Sequence, residues 1–225
     1  MSSFQPIDEG DFIAIQESFI ENISGLDDLE NIFPLTFSNS WGVCYGYKIT
    51  KADFIELMNS APAVAKWKIK FGYTNTEETA ALRLTLSGVD ANGQQATPHP
   101  NYVLTKPMHV AHHLGCNVDN GIIGSDIACK WLDNFIDQAS DETIAKSIFT
   151  LPSNQLLRGY TFEADDFLQP QQELPEFADF YIAFAIHNAL PLDAPYNLGL
   201  LLAAGSPLEG YSHFYDMGST CPPHC

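Results

Sequence analysis

Basic residues are scarce in this sequence. Its 225 residues include 10 lysines and arginines against 28 aspartates and glutamates, which gives a formal net charge of −18 at pH 7. Only Arg83 and Arg158 are arginines. A field this negative repels polyanions. We therefore predict that neither nucleic acid nor an anionic membrane is a partner.

Long apolar runs and targeting segments are lacking as well. No uninterrupted apolar stretch approaches the roughly 18 residues of a membrane-spanning helix, and the opening residues have neither a charged nor an apolar signal region. The five cysteines are an odd number at irregular spacing, which argues against a disulfide framework. These absences predict a soluble, intracellular, cytoplasmic protein whose thiols are reduced.

Familiar catalytic motifs are also missing. The sequence contains no GxxxxGK[ST] loop, no GxGxxG turn, no GxSxG nucleophile elbow and no HExxH pair. The common phosphate-binding, dinucleotide-binding, hydrolase and zinc-protease signatures are therefore excluded, and the sequence leaves open whether the protein is an enzyme.

What the sequence does contain is a repeated stretch. GYKITKADF at residues 46–54 returns as GYTFEADDF at residues 159–167. Downstream the match continues without a gap at these pairs: Pro62 and Pro175, Ala65 and Ala178, Trp67 and Phe180, Ile69 and Ile182, Phe71 and Phe184, Asn75 and Asn188. After a three-residue insertion in the second copy it continues at these pairs: Leu82 and Leu198, Leu84 and Leu200, Leu86 and Leu202.

An amphipathic helix pattern precedes each copy, at residues 11–23 and 125–136. The sequence therefore predicts an α+β fold built from an internally duplicated helix–strand–helix–strand–strand unit, with a mainly antiparallel sheet and pseudo-twofold symmetry. We expect residues 1–225 to form one compact domain of two repeats, at about 10–120 and 121–225. Alternation predicts that these strand positions are core: Trp67, Ile69, Phe71, Leu84, Phe180, Ile182, Phe184 and Leu200.

The two copies differ on the opposite strand face. The first copy places four cations there: Lys66, Lys68, Lys70 and Arg83. These cations predict either a solvated strand face or an anion-binding surface. The second copy is apolar at the matching positions, where an interface residue set is predicted: Tyr181, Ala183, Leu201 and Ala203. A strand that is apolar on both faces is covered on both, and we predict a homo-oligomeric contact as the cover; the alternatives are the helix at 125–138 and the terminal segment at 211–225.

Two clusters combine histidine and cysteine, which together suit zinc. The first cluster, which would share one face of a helix, contains His109, His112, His113 and Cys116. The second cluster, at the end of the chain, contains Cys221, His224 and Cys225. Residues 105–109 resemble residues 220–224, which would make His109 and His224 equivalent. The competing interpretation is a set of structural histidines, because no second ligand pair stands at a familiar spacing.

Three functions remain open on the sequence alone. The first is a non-catalytic interaction or scaffold protein that self-associates through the apolar face. The second is a metal-dependent hydrolase that uses the two histidine and cysteine clusters, with zinc as the metal. The third is a protein that binds a small ligand or an anion between the two repeats, where related units meet and pockets tend to form.

Overall fold

The fold is seen in a computed structural model of the whole chain. The residues that the structure describes are 2–25, 43–60, 63–76, 79–96, 101–110, 125–139, 148–151, 153–173, 179–186, 198–205, 213–215 and 219–221. Among these residues, no helix is long and apolar enough to cross a bilayer.

The chain combines helices with runs of antiparallel strands, which fits an α+β fold. The helices are α1 (Glu9–Gly25), α2 (Lys51–Ser60), α3 (Ser125–Ala139) and α4 (Ala164–Glu173). The strands are β1 (Phe4–Ile7), β2 (Val43–Thr50), β3 (Lys66–Thr76), β4 (Thr79–Val89), β5 (Asn101–Leu104), β6 (Pro107–Val110), β7 (Gly159–Glu163), β8 (Asp179–Ile186), β9 (Leu198–Ala204), β10 (His213–Tyr215) and β11 (Ser219–Cys221).

The strands form two sheets in which neighbouring strands run antiparallel. Sheet A has the order β1-β5-β4-β3-β7-β11, and sheet B has the order β10-β9-β8-β2-β6. Each of the hairpins β3–β4 and β8–β9 therefore pairs with a strand from the other half of the chain. Residues 46–50 of β2 pair with residues 179–183 of β8, and residues 159–163 of β7 pair with residues 66–70 of β3.

The glycine that opens the repeated motif has a steric role in both sheets. Gly46 and Gly159 have φ angles of 157° and 151°, a region that residues with a side chain rarely adopt. A Cβ on Gly46 would lie 2.3 Å from the carbonyl oxygen of Ile182, and one on Gly159 would lie 2.2 Å from that of Ile69. Glycine is required because the neighbouring strand passes too close for any side chain.

The inner faces of the two sheets form the main core. The eight strand positions predicted to be core are all buried and lie in one cluster, so the prediction that they are core is confirmed. The Phe71 and Phe184 rings bring the two sheets together, with centroids 6.4 Å apart. The hydroxyl of Tyr47 in sheet B donates to the carbonyl of Leu82 in sheet A at 2.6 Å, and the hydroxyl of Tyr160 in sheet A donates to the carbonyl of Leu198 in sheet B.

The phenylalanines that close the two motifs meet at the centre of this core. Phe54 of α2 and Phe167 of α4 stack with their ring centroids 5.8 Å apart. Phe54 also stacks on Phe180 at 4.7 Å, and Phe167 packs on Trp67 at 5.6 Å. Both phenylalanines are almost completely buried, so each anchors its helix in the core.

A helix covers the outer face of each hairpin. Helix α1 packs on β3, and α3 packs on β8. The four predicted interface residues of the second half are buried under α3, in a cluster with Ala128 and Leu132. The chain's own amphipathic helix, one of the two alternative covers, removes these side chains from solvent. The homo-oligomeric contact stays a prediction.

The end of the chain pairs with both sheets. β10 pairs with β9 and β11 pairs with β7, so the described residues of the terminal segment are docked on the sheets. In the ladders, Met108 lies opposite Gly46 and Cys221 lies opposite Gly159. Relative to the two glycines, Met108 therefore corresponds to Cys221. The proposed equivalence of His109 and His224 would match Met108 with Pro223 instead, which is two residues out of register.

The start of the chain is hydrogen-bonded to the first turn of α2. The carboxylate of Asp53 accepts hydrogen bonds from the backbone N–H and the hydroxyl of Ser3, at 2.7 and 2.5 Å, and from the hydroxyl of Thr50 at 2.7 Å. Lys106 lies 3.8 Å away. Burial alone would raise the pKa of Asp53, but these hydrogen bonds and Lys106 outweigh it, so the pKa is lowered.

This arrangement predicts an acid-sensitive contribution to stability from Asp53. Since its pKa is lower in the folded state, the unfolded state binds the proton first as the pH falls. The stabilisation is complete above the ordinary aspartate pKa and is lost as the pH falls through the folded value. Urea unfolding between pH 7 and pH 2 should show a shallower acid loss for Asp53→Asn than for wild type. Parallel curves would contradict this account of Asp53.

Candidate functional site: a cationic cavity between α1 and β3

Helix α1 lies directly on the face of β3 that carries the lysines. Gly72 permits this approach, since a Cβ at that position would lie 2.2 Å from Cγ2 of Ile15. Thr85, on the same face of the neighbouring strand, is fully buried. The interpretation of this face as solvated is therefore wrong beside Lys70 and Thr85, where a helix covers it, whereas Lys66 remains at the surface.

A cavity of about 80 Å³ remains beside this contact. We call it the α1–β3 cavity, and its lining residues are Gln16, Phe19, Ile20, Lys70, Phe71 and Arg158. Three of these side chains are apolar and three carry N–H donors. None is a carboxylate, a thiol, a hydroxyl or an imidazole, so the lining offers mainly hydrogen-bond donors and positive charge. Among these six side chains the amine of Lys70 is the one that could act as a nucleophile or a base.

Lys70 places a partly buried ammonium group in the cavity. Its Nζ donates to Oε1 of Gln16 at 3.3 Å and lies 5.7 Å from the centre of the Phe12 ring. Burial, followed by the charges of Lys68 and Arg158, lowers the pKa of Lys70, and Glu9 partly opposes this shift. The ammonium group is thus short of negative charge.

No described residue supplies a carboxylate partner to either cation of the cavity. Ion pairs in the described part of the chain include those of Lys48 with Asp179, Lys66 with Glu163 and Lys106 with Asp53, and none of these involves Lys70 or Arg158. In a chain that has 28 acidic residues and 10 basic ones, two neighbouring cations that no described carboxylate pairs with are unexpected.

Gln16 contributes a buried donor that no described residue satisfies. Its Nε2 is shielded from solvent and has no hydrogen-bond partner among the residues the structure describes. Leaving such a donor unpaired costs about 1–3 kcal/mol. A polar group in this state near two cations is a candidate ligand contact.

Arg158 reaches the cavity from the other half of the chain. It immediately precedes β7, and its carbonyl accepts a hydrogen bond from the N–H of Phe71 at 2.9 Å. Its backbone is therefore fixed beside β3, while its side chain is exposed. The guanidinium group stands where the cavity meets solvent.

The corresponding place in the second half is apolar. Phe19 of α1 packs on Phe71, and Phe135 of α3 packs on Phe184, which is the sequence match of Phe71, so this one ring contact occurs in both halves. By this correspondence, Leu132 stands in place of Gln16 and Ala183 in place of Lys70, and both are fully buried in the cluster under α3. The residue before the second glycine is Arg158, whereas the residue before the first is the buried Tyr45.

The four predicted anion-binding cations are not brought together as a group. Lys70 alone lines the cavity, and Lys68 lies near enough to affect its pKa. Lys66 pairs with Glu163 at 2.8 Å on the surface, and Nε of Arg83 donates to Thr74 at 3.0 Å.

Two lining residues, Gln16 and Arg158, were not predicted from the sequence. Gln16 could have been found, because it lies on the buried stripe of α1 with Phe12 and Phe19 and is polar where that stripe is apolar. Arg158 carries only the weak signal of being one of two arginines.

The predicted zinc ligands gain little from the structure. His109 lies in β6, so the helical spacing assumed for it does not apply, and it faces Cys44 across the β2–β6 ladder. Burial lowers the pKa of His109 and raises the pKa of Cys44 to about 11, so this thiol stays protonated at neutral pH. The described residues contain no group of three metal-ligating side chains. The other predicted ligands, apart from the backbone of Cys221, lie outside the described residues: His112, His113, Cys116, His224 and Cys225.

The thiols are not all reduced. Cys129 of α3 is disulfide-bonded, whereas Cys44 is free and buried. The expectation of five reduced thiols is wrong at Cys129, because irregular spacing along the chain does not prevent two cysteines from meeting in space.

The α1–β3 cavity can therefore hold a negatively charged group among N–H donors and apolar walls. Known proteins add no further information about the activity. No protein-family model, curated protein or solved structure matches the chain.

Proposed function

We propose that the protein is a non-catalytic binding protein that holds a small anion in the α1–β3 cavity. The observation that carries the proposal is the buried Nε2 of Gln16, which has no partner among the described residues and stands beside the unpaired cations Lys70 and Arg158. An anion in the cavity would accept from all three side chains.

The energetic cost of the empty arrangement supports this function. Partial burial of Lys70 disfavours its charged form, as its lowered pKa indicates, and the donor of Gln16 is unsatisfied. The second half shows that apolar side chains at the matching positions pack well, since Leu132 and Ala183 are fully buried. Polar residues that lower stability, at a place where the matching positions of the other half hold well-packed apolar residues, are typical of a binding site.

We also propose that the chain is an internal duplication with pseudo-twofold symmetry, folded as one domain. In support, the ladders of β2 with β8 and of β7 with β3 have the same register relative to the motif glycines. The packing of Trp67 on Phe167 repeats as the packing of Phe180 on Phe54, which is how contacts related by a twofold axis behave. The cavity then lies between the repeats, with Arg158 supplied by the second.

Two earlier hypotheses keep less support. Self-association through the apolar face loses its basis, because α3 covers that face; light scattering would test self-association by another surface. The zinc hydrolase keeps only His109 among residues whose side chains are described, and elemental analysis would test it. A cytoplasmic location stays a prediction.

Anion binding should appear as ligand-dependent thermal stabilisation. We expect acetate, phosphate or sulfate, tested at constant ionic strength, to raise the unfolding midpoint of the wild-type protein. A ligand at ten times its Kd adds about 1.4 kcal/mol of stability, or roughly 3–5 °C for a chain of this size.

Variants make this test specific to the cavity. Lys70→Met and Gln16→Leu, the second of which copies Leu132, should abolish the stabilisation. Lys66→Met removes an exposed cation and is the matched control, because it should leave the stabilisation unchanged. A wild-type protein that no anion stabilises, or a response that Lys70→Met retains, would refute the proposed function.

A further inference from the structure

We infer that the anion held in the α1–β3 cavity is a monocarboxylate with a short apolar tail, an inference that rests on the function proposed above. The hydrogen-bond donors of the cavity, its apolar walls and the net charge of the protein each favour a monocarboxylate over inorganic phosphate or sulfate.

The available donors fit two oxygens better than four. Gln16 lies in the middle of α1 rather than in its first turn, so the backbone N–H groups around it are used within the helix. The N–H of Phe71 is also used, since it donates to Arg158. Many phosphate sites include free backbone N–H groups at a helix start, and among the described residues that line this cavity the donors are side chains. A carboxylate needs only the guanidinium fork and one or two further donors.

The remaining walls are apolar. Phe19 and Phe71 are buried and Ile20 is partly buried on the cavity side of α1 and β3. The volume of about 80 Å³ exceeds what one water fills, since a water occupies about 30 Å³. A tetrahedral ion would leave oxygens against these walls without donors, whereas a carboxylate can place carbon there.

The net charge of the protein favours the lower ligand charge. A chain with a formal net charge of −18 repels a dianion about twice as strongly as a monoanion at the same place. The local cations must overcome that repulsion, and they do so more readily for one negative charge.

Isothermal titration of the intact protein with acetate, propionate, butyrate and inorganic phosphate, all at one ionic strength, tests the inference. We expect Kd to fall roughly fourfold for each methylene added, because each is buried against the apolar walls. Phosphate should bind at least about tenfold more weakly than butyrate. Ile20→Ala, which shortens one wall, should weaken butyrate binding more than acetate binding.

The outcomes separate this inference from the proposed function. Phosphate binding as tight as butyrate binding, lost in Lys70→Met, would overturn the monocarboxylate and leave the anion site standing. Equal affinity for the three carboxylates would also overturn it, since the tail would then lie outside the walls. Absence of binding by every probe would overturn both.

Discussion

Alanine at Gly46 or at Gly159 is expected to lower the free energy of unfolding by about 2–4 kcal/mol. At each position the added Cβ would meet backbone atoms of the neighbouring strand, the carbonyl oxygen and the next Cα, at 2.2–2.8 Å. Backbone inside a sheet cannot move aside as the end of a flexible side chain can. Urea unfolding monitored by far-UV circular dichroism would give both values.

The two losses should be similar, because the clash has the same geometry at both sites. Gly93 is the control, since its φ of 78° is also positive but nothing lies within 4 Å of an added Cβ. Gly93→Ala should cost only about 1 kcal/mol, from the backbone conformation alone. If Gly46→Ala and Gly159→Ala cost no more than Gly93→Ala, the proposed close passage of strands between the halves would be wrong.

Lysine at position 183 is expected to destabilise the protein by at least about 3 kcal/mol at pH 7. Ala183 corresponds to Lys70 but is fully buried under α3 among apolar side chains. An ammonium group there has no partner, so burial should lower its pKa. The unfolded state then binds the proton more tightly, and raising the pH from 7 to 10 should recover part of the loss.

Two variants separate charge from size in this experiment. Ala183→Met has a similar length without the charge, so the difference between the lysine and methionine variants measures the cost of the ammonium group. Lys70→Ala should change stability by less than about 1 kcal/mol, because the loss of its bond to Gln16 is offset by the removal of a desolvated charge. A lysine at position 183 tolerated as well as methionine would mean that α3 does not seal this face.

Much of the fold could be predicted because the same pattern of apolar residues occurs in both copies of the repeated stretch. Trp67 and Ile69 alternate in the first copy as Phe180 and Ile182 do in the second, and period-2 alternation fixes the buried face of a strand. What the sequence could not give is which half each strand joins. The pairing of β2 with β8 is set by tertiary packing of the hairpins, and no local pattern encodes it.

The candidate site was harder to predict for a related reason. Lys66, Lys68 and Lys70 occupy equivalent alternating positions along β3. Lys70 lies at the cavity and Lys66 pairs with Glu163, and only the position of α1 distinguishes the two. Arg158 is distant in sequence and arrives through β7. The cover over Ala183 was predicted as a second copy, since a strand pattern shows that a face must be covered but not by what.

The central claim is that the α1–β3 cavity binds an anion at Lys70, and a titration of the lysine ammonium groups by NMR tests it most directly. Without ligand, Lys70 should titrate below the ordinary lysine pKa, because burial disfavours its charged form. With butyrate present, its pKa should rise, since a neighbouring negative charge favours the ammonium state. A pKa of Lys70 that stays the same at the highest butyrate concentration would contradict the account.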